Sequence, residues 1–430
     1  MRLSGRVSAA IEVLHEIADR HRPASVTLAD WGRSHRFAGS GDRSAIGTLV
    51  YDALRKRASL AWHMGSDAPR ALAVGALRWS WGMEPPAIAA LCDGSEHAPQ
   101  PLSAEEQARL KAGTAGQASG WVAADVPEWL FPEFEAAFGA RAVAEGEALG
   151  ERAPIDLRVN TLKADRPRVL KALEKYRAAA TPFSPVGVRI PAPGPLEKSP
   201  NVEAEAAHGR GWFEVQDEAS QIAAFLSGAA PRLQVLDVCA GAGGKTLAMA
   251  ALMQNTGQIY AYDSDKLRLR PIFDRLRRAG ARNVQVLEAG EESALDALSG
   301  RMDVVLVDAP CSGSGVWRRR PDAKWRLTPE ALAERVAEQR RVLTLAAPLV
   351  RPGGRLVYAT CSMLPCENAA QTSWFLEHAP EFSELPWRDV WQSSPLSAPP
   401  PDDHGGPALQ LTPARHGTDG FYISILARQT

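Results

Sequence analysis

Cys311 and Cys361 are the residues of this sequence best placed to do chemistry. The first lies in Asp308-Ala309-Pro310-Cys311-Ser312-Gly313-Ser314-Gly315, the second in Tyr358-Ala359-Thr360-Cys361-Ser362. Each follows an apolar β-type run, Val304-Val305-Leu306-Val307 and Arg355-Leu356-Val357-Tyr358. Both thiols are therefore expected just beyond the carboxyl ends of strands in an α/β sheet, where such folds place their chemistry. Another apolar run, Leu233 to Val238, feeds the glycine-rich turn Asp237-Val238-Cys239-Ala240-Gly241-Ala242-Gly243-Gly244-Lys245-Thr246. One nucleotide-type cofactor loop and two strand-end thiols together predict group transfer through a covalent cysteine adduct.

The glycines of that turn let backbone approach a ligand at a helix N-terminus. A phosphate-cradling GxxxxGKT loop needs glycine where this chain has Cys239, which argues against a nucleotide triphosphatase. The next strand, Ile259-Tyr260-Ala261-Tyr262, ends in Asp263, where such folds hold a ribose diol. Loop and aspartate together predict an adenosine-containing cofactor.

A cysteine is most often a small buried hydrophobe, and Cys239 reads that way, while Cys92 and Cys366 carry no further signal. Cys311 and Cys361 differ because small-residue turns at strand ends let a thiolate meet substrate. Methylation at carbon 5 of a pyrimidine needs such a thiolate. That carbon is a poor nucleophile until a thiolate adds at C6 and makes it enamine-like; elimination then restores the ring. A second thiol assists the elimination, and an acid near N3 favours the addition, a role for which Asp308 is placed.

The elements around these residues follow from composition and periodicity. At 430 residues and 45% hydrophobic, the chain fills more than one core. With 49 basic against 50 acidic side chains, any nucleic-acid contact must rest on local clusters. Five scattered cysteines predict reduced thiols, not a disulfide framework, and their spacing gives no zinc box. No signal peptide and no membrane-length apolar stretch is read, so a cytoplasmic location is expected.

Residues 1–145 read as helices: Val7-Ile11-Leu14-Ile17-Ala18 and Ile46-Leu49-Val50-Ala53-Leu54 have helical spacing, and Arg55-Lys56-Arg57 makes a basic face. Gly82-Met83-Glu84-Pro85-Pro86 and Asp93-Gly94-Ser95 read as helix stops. From 150 to 221 the texture is that of a small α+β subdomain, with strand-like Ile155 to Asn160 and a Pro- and Gly-rich stretch from Thr181 to Pro200. From 222 to 430 strands and helices alternate in the doubly wound pattern, with strands at 233–238, 258–262, 283–287, 303–307, 354–359 and 421–426. Pro395 to Pro401 with Asp402-Asp403-His404-Gly405-Gly406 reads as a surface loop.

At these motifs the chain resembles the RsmB/NOP2/Sun family of S-adenosylmethionine-dependent RNA cytosine-C5 methyltransferases. Asp237 to Thr246 is similar to the family's DxCAxPGGKT, with Ala242 where proline is usual. Asp308 to Gly315 matches DAPCSGxG, and Thr360-Cys361-Ser362 with Pro365, Glu367 and Asn368 matches TCSxxPxEN. Leu157 to Leu162, Val215 to Gln221 and Asp419-Gly420-Phe421-Tyr422 also match. Arg43 to Tyr51 resembles the NusB-type helical RNA-binding domain of the RsmB branch.

The resemblance implies a Rossmann-like class I methyltransferase domain with a mostly parallel seven-stranded sheet, preceded by an RRM-like α+β subdomain and an all-α NusB-like domain. It implies Cys361 as the nucleophile at C6 and Cys311 as the residue that helps release product. Asp308 would contact the cytosine and Lys245 would orient groups in the site. S-adenosylmethionine would be held by Cys239, Ala240, Gly241, Ala242, Gly243, Gly244, Lys245, Asp263, Arg268 and Asp308. Gly290 stands where the family has an acidic residue near the adenine, so Glu288 or Glu291 is the candidate replacement.

Trp317-Arg318-Arg319-Arg320-Pro321-Asp322-Ala323-Lys324-Trp325-Arg326 mixes cations with tryptophans, the combination used on single-stranded RNA. It is the predicted substrate surface, together with Arg55-Lys56-Arg57. The target cytosine must leave any stack to reach the thiols. The expected substrate is 16S rRNA, bound by a monomer without a metal. A tRNA methyltransferase of the same family, and a non-catalytic RNA-binding ribosome-assembly factor, are the alternatives.

Overall fold

A computed structural model describes residues 1–113, 116–401 and 405–430. The loop expected from 395 to 406 is therefore described except for Asp402, Asp403 and His404, which lie outside the described residues. The chain divides into two compact units. One comprises Met1–Ala153 with Ala192–Ser199 and Val316–Leu327; the other comprises Pro154–Pro191, Pro200–Gly315 and Thr328–Thr430.

The first unit is helical. Helix Leu3–Arg20 buries Val7, Leu14 and Ile17 of the stripe its spacing predicts and Val13 besides, with Ile11 half-buried and Ala18 exposed, and helix Ser40–Arg55 buries Ile46, Leu49, Val50 and Ala53. Helix Ala104–Ala112 starts at a capping box in which the Ser103 hydroxyl accepts from Glu106 N (3.1 Å) and the Glu106 carboxylate accepts from Ser103 N (2.8 Å).

The sequence reads Trp317–Arg326 as open RNA contact; in the structure the segment packs with the helical unit and is mostly buried. Trp317 is fully buried and stacks on Phe134 with centroids 6.0 Å apart. Lys324 is 1% exposed, and its ammonium donates to the carbonyls of Arg55 (2.7 Å) and Asp125 (2.6 Å). Burial pushes that ammonium down to about 8. Trp325 donates to Leu54 O at 2.6 Å. The Arg and Trp content fits a pinned, buried segment as well as it fits an RNA surface; only Arg320 and Arg326 remain exposed. The predicted basic face at 55–57 is likewise spoken for, since Arg55 pairs with Asp52, Lys56 with Glu151 and Arg57 with Asp67.

The second unit holds two sheets. Strands β1 (Ile155–Val159), β2 (Ala179–Ala180), β3 (Gly187–Ile190) and β4 (Phe213–Val215) form an antiparallel sheet in the order β2-β3-β1-β4. The larger sheet contains β5 (Gln234–Asp237), β6 (Gln258–Ala261), β7 (Val284–Val286), β8 (Met302–Asp308), β9 (Val350–Thr360), β10 (Phe382–Leu385), β11 (Leu409–Leu411) and β12 (Phe421–Arg428). Its order is β10-β12-β9-β8-β5-β6-β7, with β11 also on β12. Strands β5 to β9 pair in parallel, and β12 alone runs against the rest. This is the Rossmann-like sheet expected from the alternating pattern, with β10 and β11 added to the predicted strands.

The order reverses between β5 and β8, and open α/β sheets bind ligands at such a switch point. Strand β8 reads Met-Asp-Val-Val-Leu-Val-Asp and buries Val304 to Val307 on both faces, as a central parallel strand must.

Candidate active site

The three motif loops emerge side by side because β5, β8 and β9 are neighbours. Asp237 of β5 pairs with Leu306 of β8, and Asp308 of β8 pairs with Ala359 of β9. Cys311 and Cys361 therefore follow adjacent strand ends, and their sulfurs lie 3.4 Å apart. The Cys311 thiol is held well above its ordinary range, first by its hydrogen bond to Cys361 and then by burial.

Both turns are tied to one buried carboxylate. Glu367, fully buried, accepts from Ser312 N (2.7 Å), Ser312 Oγ (2.5 Å), Ser362 Oγ (2.5 Å) and Gln339 Nε2 (3.1 Å). Ser312 and Ser362 are the neighbours of the two cysteines, so Glu367 sets their spacing. Its own backbone is held by Tyr358, whose hydroxyl donates to Glu367 O at 2.7 Å. A Cβ at Gly315 would lie 2.1 Å from Gly420 O, so only glycine permits this close crossing of the β8 loop and the segment before β12.

Lys245, from the first turn of helix Gly244–Leu252, donates to Asp308 at 2.7 Å and sits 4.9 Å over the Phe421 ring. Lys245 is buried, while the Asp308 carboxylate is one-third exposed and free to meet a ligand.

The cofactor loop has Gly241 and Gly243 at φ of +50° and +82°, and a Cβ at Gly243 would meet Ile272 Cγ1 at 2.5 Å. Asp263, buried at the end of β6, accepts from Gly241 N (2.8 Å) and Asp265 N (2.9 Å). Asp237 accepts from Thr246 Oγ1 at 2.7 Å, and burial raises its carboxyl to about 7. Behind the loop, Arg275 donates to Ala242 O (2.8 Å) and is anchored by Glu214 of β4 at 3.0 Å.

Cys239, Asp263, Arg268, Tyr262 and Pro310 line a narrow cleft. Among the described residues the Tyr262 hydroxyl, on the cleft wall, and Asp237 Oδ1, which is not part of the lining, are buried without a partner. A ligand with hydroxyl groups fits Asp263 and Tyr262 of this lining. Of the acidic residues after β7, Glu292 lines the cleft, paired with Arg341, whereas Glu288 and Glu291 do not. Gly290 has φ +79° and donates to Asp263 O at 3.2 Å, so it serves the turn.

The structure thus brings together Cys311 with Cys361, Lys245 with Asp308, and Asp263 with the loop. Sequence reasoning missed the joint role of Glu367 and Gln339, the orphaned Tyr262 hydroxyl, and Glu292. Glu367 carried a motif signal; Gln339, mid-helix in Pro329–Ala346, carried none.

Among the described residues no group of three His, Cys, Asp or Glu is arranged to hold a metal, and no helix is long and apolar enough to cross a membrane. A family model described as 16S rRNA methyltransferase RsmB/F matches residues 228–427, and one described as an RsmF/B-like ferredoxin-like domain matches 126–197. Ribosomal RNA small subunit methyltransferase B of Cronobacter sakazakii is 31% identical over 326 residues, covering 75% of this chain and 70% of its own. The probable ribosomal RNA small subunit methyltransferase B of a Synechocystis strain is 33% identical over 313 residues, and the match spans 70% of this chain and 66% of that protein. The solved structure of PH0851 superposes over 99% of both chains with a TM-score of 0.74 at 26% identity. A methyltransferase homologue from Pyrococcus horikoshii covers 72% of this chain and 97% of its own, with TM-score 0.60 at 27% identity. The chain belongs to the RsmB/F family of ribosomal RNA methyltransferases.

Proposed function

We propose that this protein methylates carbon 5 of a cytosine in 16S rRNA through a covalent Cys361 adduct, with S-adenosylmethionine as methyl donor. The observation that carries the reading is the 3.4 Å pair of thiols beside the glycine loop. Two sulfurs that close reach adjacent ring atoms, C6 and C5, of one extruded base.

Cys361 adds to C6, and its thiolate electrons pass into the ring to make C5 nucleophilic. Bound S-adenosylmethionine supplies the methyl cation. Asp308, tied to Lys245 but one-third exposed, meets the N3 edge, and the Lys245–Asp308 pair supplies the proton that the addition calls for and takes it back when the ring is restored. Asp263 and Arg268 hold the ribose, while Cys239 to Gly244 cradle the amino-acid end beside Asp237.

Cys311 acts last. Its raised affinity for a proton comes first from Cys361, and that cause disappears once Cys361 is a thioether. Cys311 then ionises more readily and takes the C5 proton, while the Cys361–C6 bond breaks and the ring double bond returns. The direct test is transfer of labelled methyl to 16S rRNA, mapped to a cytosine by nucleoside mass spectrometry. Methyl recovered elsewhere than carbon 5 of cytosine contradicts the proposal.

A further inference from the structure

With the 317–326 segment buried, the catalytic unit needs another surface for its polyanionic substrate. Trp212, just before β4, is flanked by two guanidinium groups: Arg168 lies 4.0 Å and Arg210 5.3 Å from its ring. Both arginines are exposed and meet no carboxylate among the described residues. The ring restrains their heads without neutralising them.

This cluster continues onto helix Ile272–Ala279. Lys163 donates to Arg278 O (2.7 Å) and Arg210 O (3.4 Å), and Asn160 Nδ2 donates to Gly211 O (2.9 Å) and Ala279 O (2.8 Å). Two of these bonds cross to the helix and two hold the 210–211 turn, so Lys163 and Asn160 join the turn that carries Arg210 to the helix end. On the helix side Phe273 is 51% exposed and Leu267 77% exposed. Arg277 follows Phe273 by four positions on the same helical face and is paired with Asp274, while Arg270 lies exposed in the turn just before the helix.

Exposed arginines that meet no carboxylate among the described residues, two of them restrained by Trp212, beside an exposed aromatic ring fit a single-stranded RNA segment: phosphates on the arginines and a base on Phe273. Resting on the RNA-methylating reading above, we propose that Arg168, Arg210, Arg270 and Phe273 form the surface on which the catalytic unit holds RNA flanking the target cytosine.

The test uses the full chain with all three arginines changed to Gln, and separately Phe273→Ala. Fluorescence anisotropy with a labelled single-stranded RNA is read across a salt series. Each lost phosphate contact lowers the salt slope by about 0.7, so the triple variant should lose about 2 from the slope of log K against log salt. Affinity should fall at least tenfold in both variants, with KM for RNA rising alike and S-adenosylmethionine affinity and kcat within twofold of wild type. An unchanged slope and affinity overturns the proposal, as does loss of binding to anionic vesicles or polyglutamate with RNA binding intact. Wild type that binds RNA through this surface yet transfers no methyl would instead refute the proposed function alone.

Discussion

Glu367→Ala is the perturbation that most exposes how this site is built. The carboxylate accepts four hydrogen bonds in a fully buried position, and its removal takes an acceptor from both cysteine turns. Gln339 keeps Pro310 O at 2.9 Å and Ser362 keeps Ser314 Oγ at 3.1 Å, so the loss concentrates on Ser312 and on the emptied volume. At about 1–3 kcal/mol for each unsatisfied group, two groups and the cavity amount to about 4 kcal/mol. That lowers the midpoint of thermal unfolding by about 8–16 °C at the 2–4 °C per kcal/mol usual for a domain of this size. Glu367→Gln behaves differently. Its oxygen keeps Ser312 N, its amide donates to hydroxyls that rotate to accept, and the cost is about 1–2 kcal/mol for the lost charge. Calorimetry on wild type and both variants reads this directly. An Ala variant as stable as wild type, or a Gln variant as damaged as Ala, refutes the claim that one carboxylate fixes both turns.

Asp237 gives a pH dependence whose sign is fixed. Its folded carboxyl titrates near 7 against an ordinary 3.8, so the folded state binds the extra proton. Stability from this group is full below about 4, is lost as pH rises towards 7, and is flat above, by about 4 kcal/mol in total. Asp237→Asn, which keeps the acceptor for Thr246, should flatten that slope in urea titrations at pH 5 and 8. Gly243→Ala forces a Cβ to 2.5 Å from Ile272 at φ +82°, and should weaken S-adenosylmethionine binding at least tenfold by calorimetry while leaving RNA affinity in place. Cys361→Ala removes the leading cause of Cys311's raised titration, so alkylation of Cys311 should move to lower pH; an unmoved profile contradicts the release role proposed for it.

The reactive centre was legible because its signals are local. An apolar run followed by a small-residue turn says strand end, and parallel pairing of β5, β8 and β9 brings three such ends together. Strands β10 and β11 were not legible: four and three residues long, they exist because β12 offers an edge. The 317–326 segment misleads for the same physical reason. Its fate depends on Leu54, Arg55, Asp125 and Phe134, residues remote in sequence that receive its hydrogen bonds and its indole. Glu292 was hidden because a turn, not a motif, carries it to the cleft.

The covalent step is tested most directly on a denaturing gel, with wild type, Cys311→Ala and Cys361→Ala each incubated with 16S rRNA and S-adenosylmethionine. The account predicts a protein–RNA adduct from Cys311→Ala alone, because its Cys361–C6 bond forms but is not released. An adduct from Cys361→Ala instead, or equal methyl transfer by all three proteins, would contradict it.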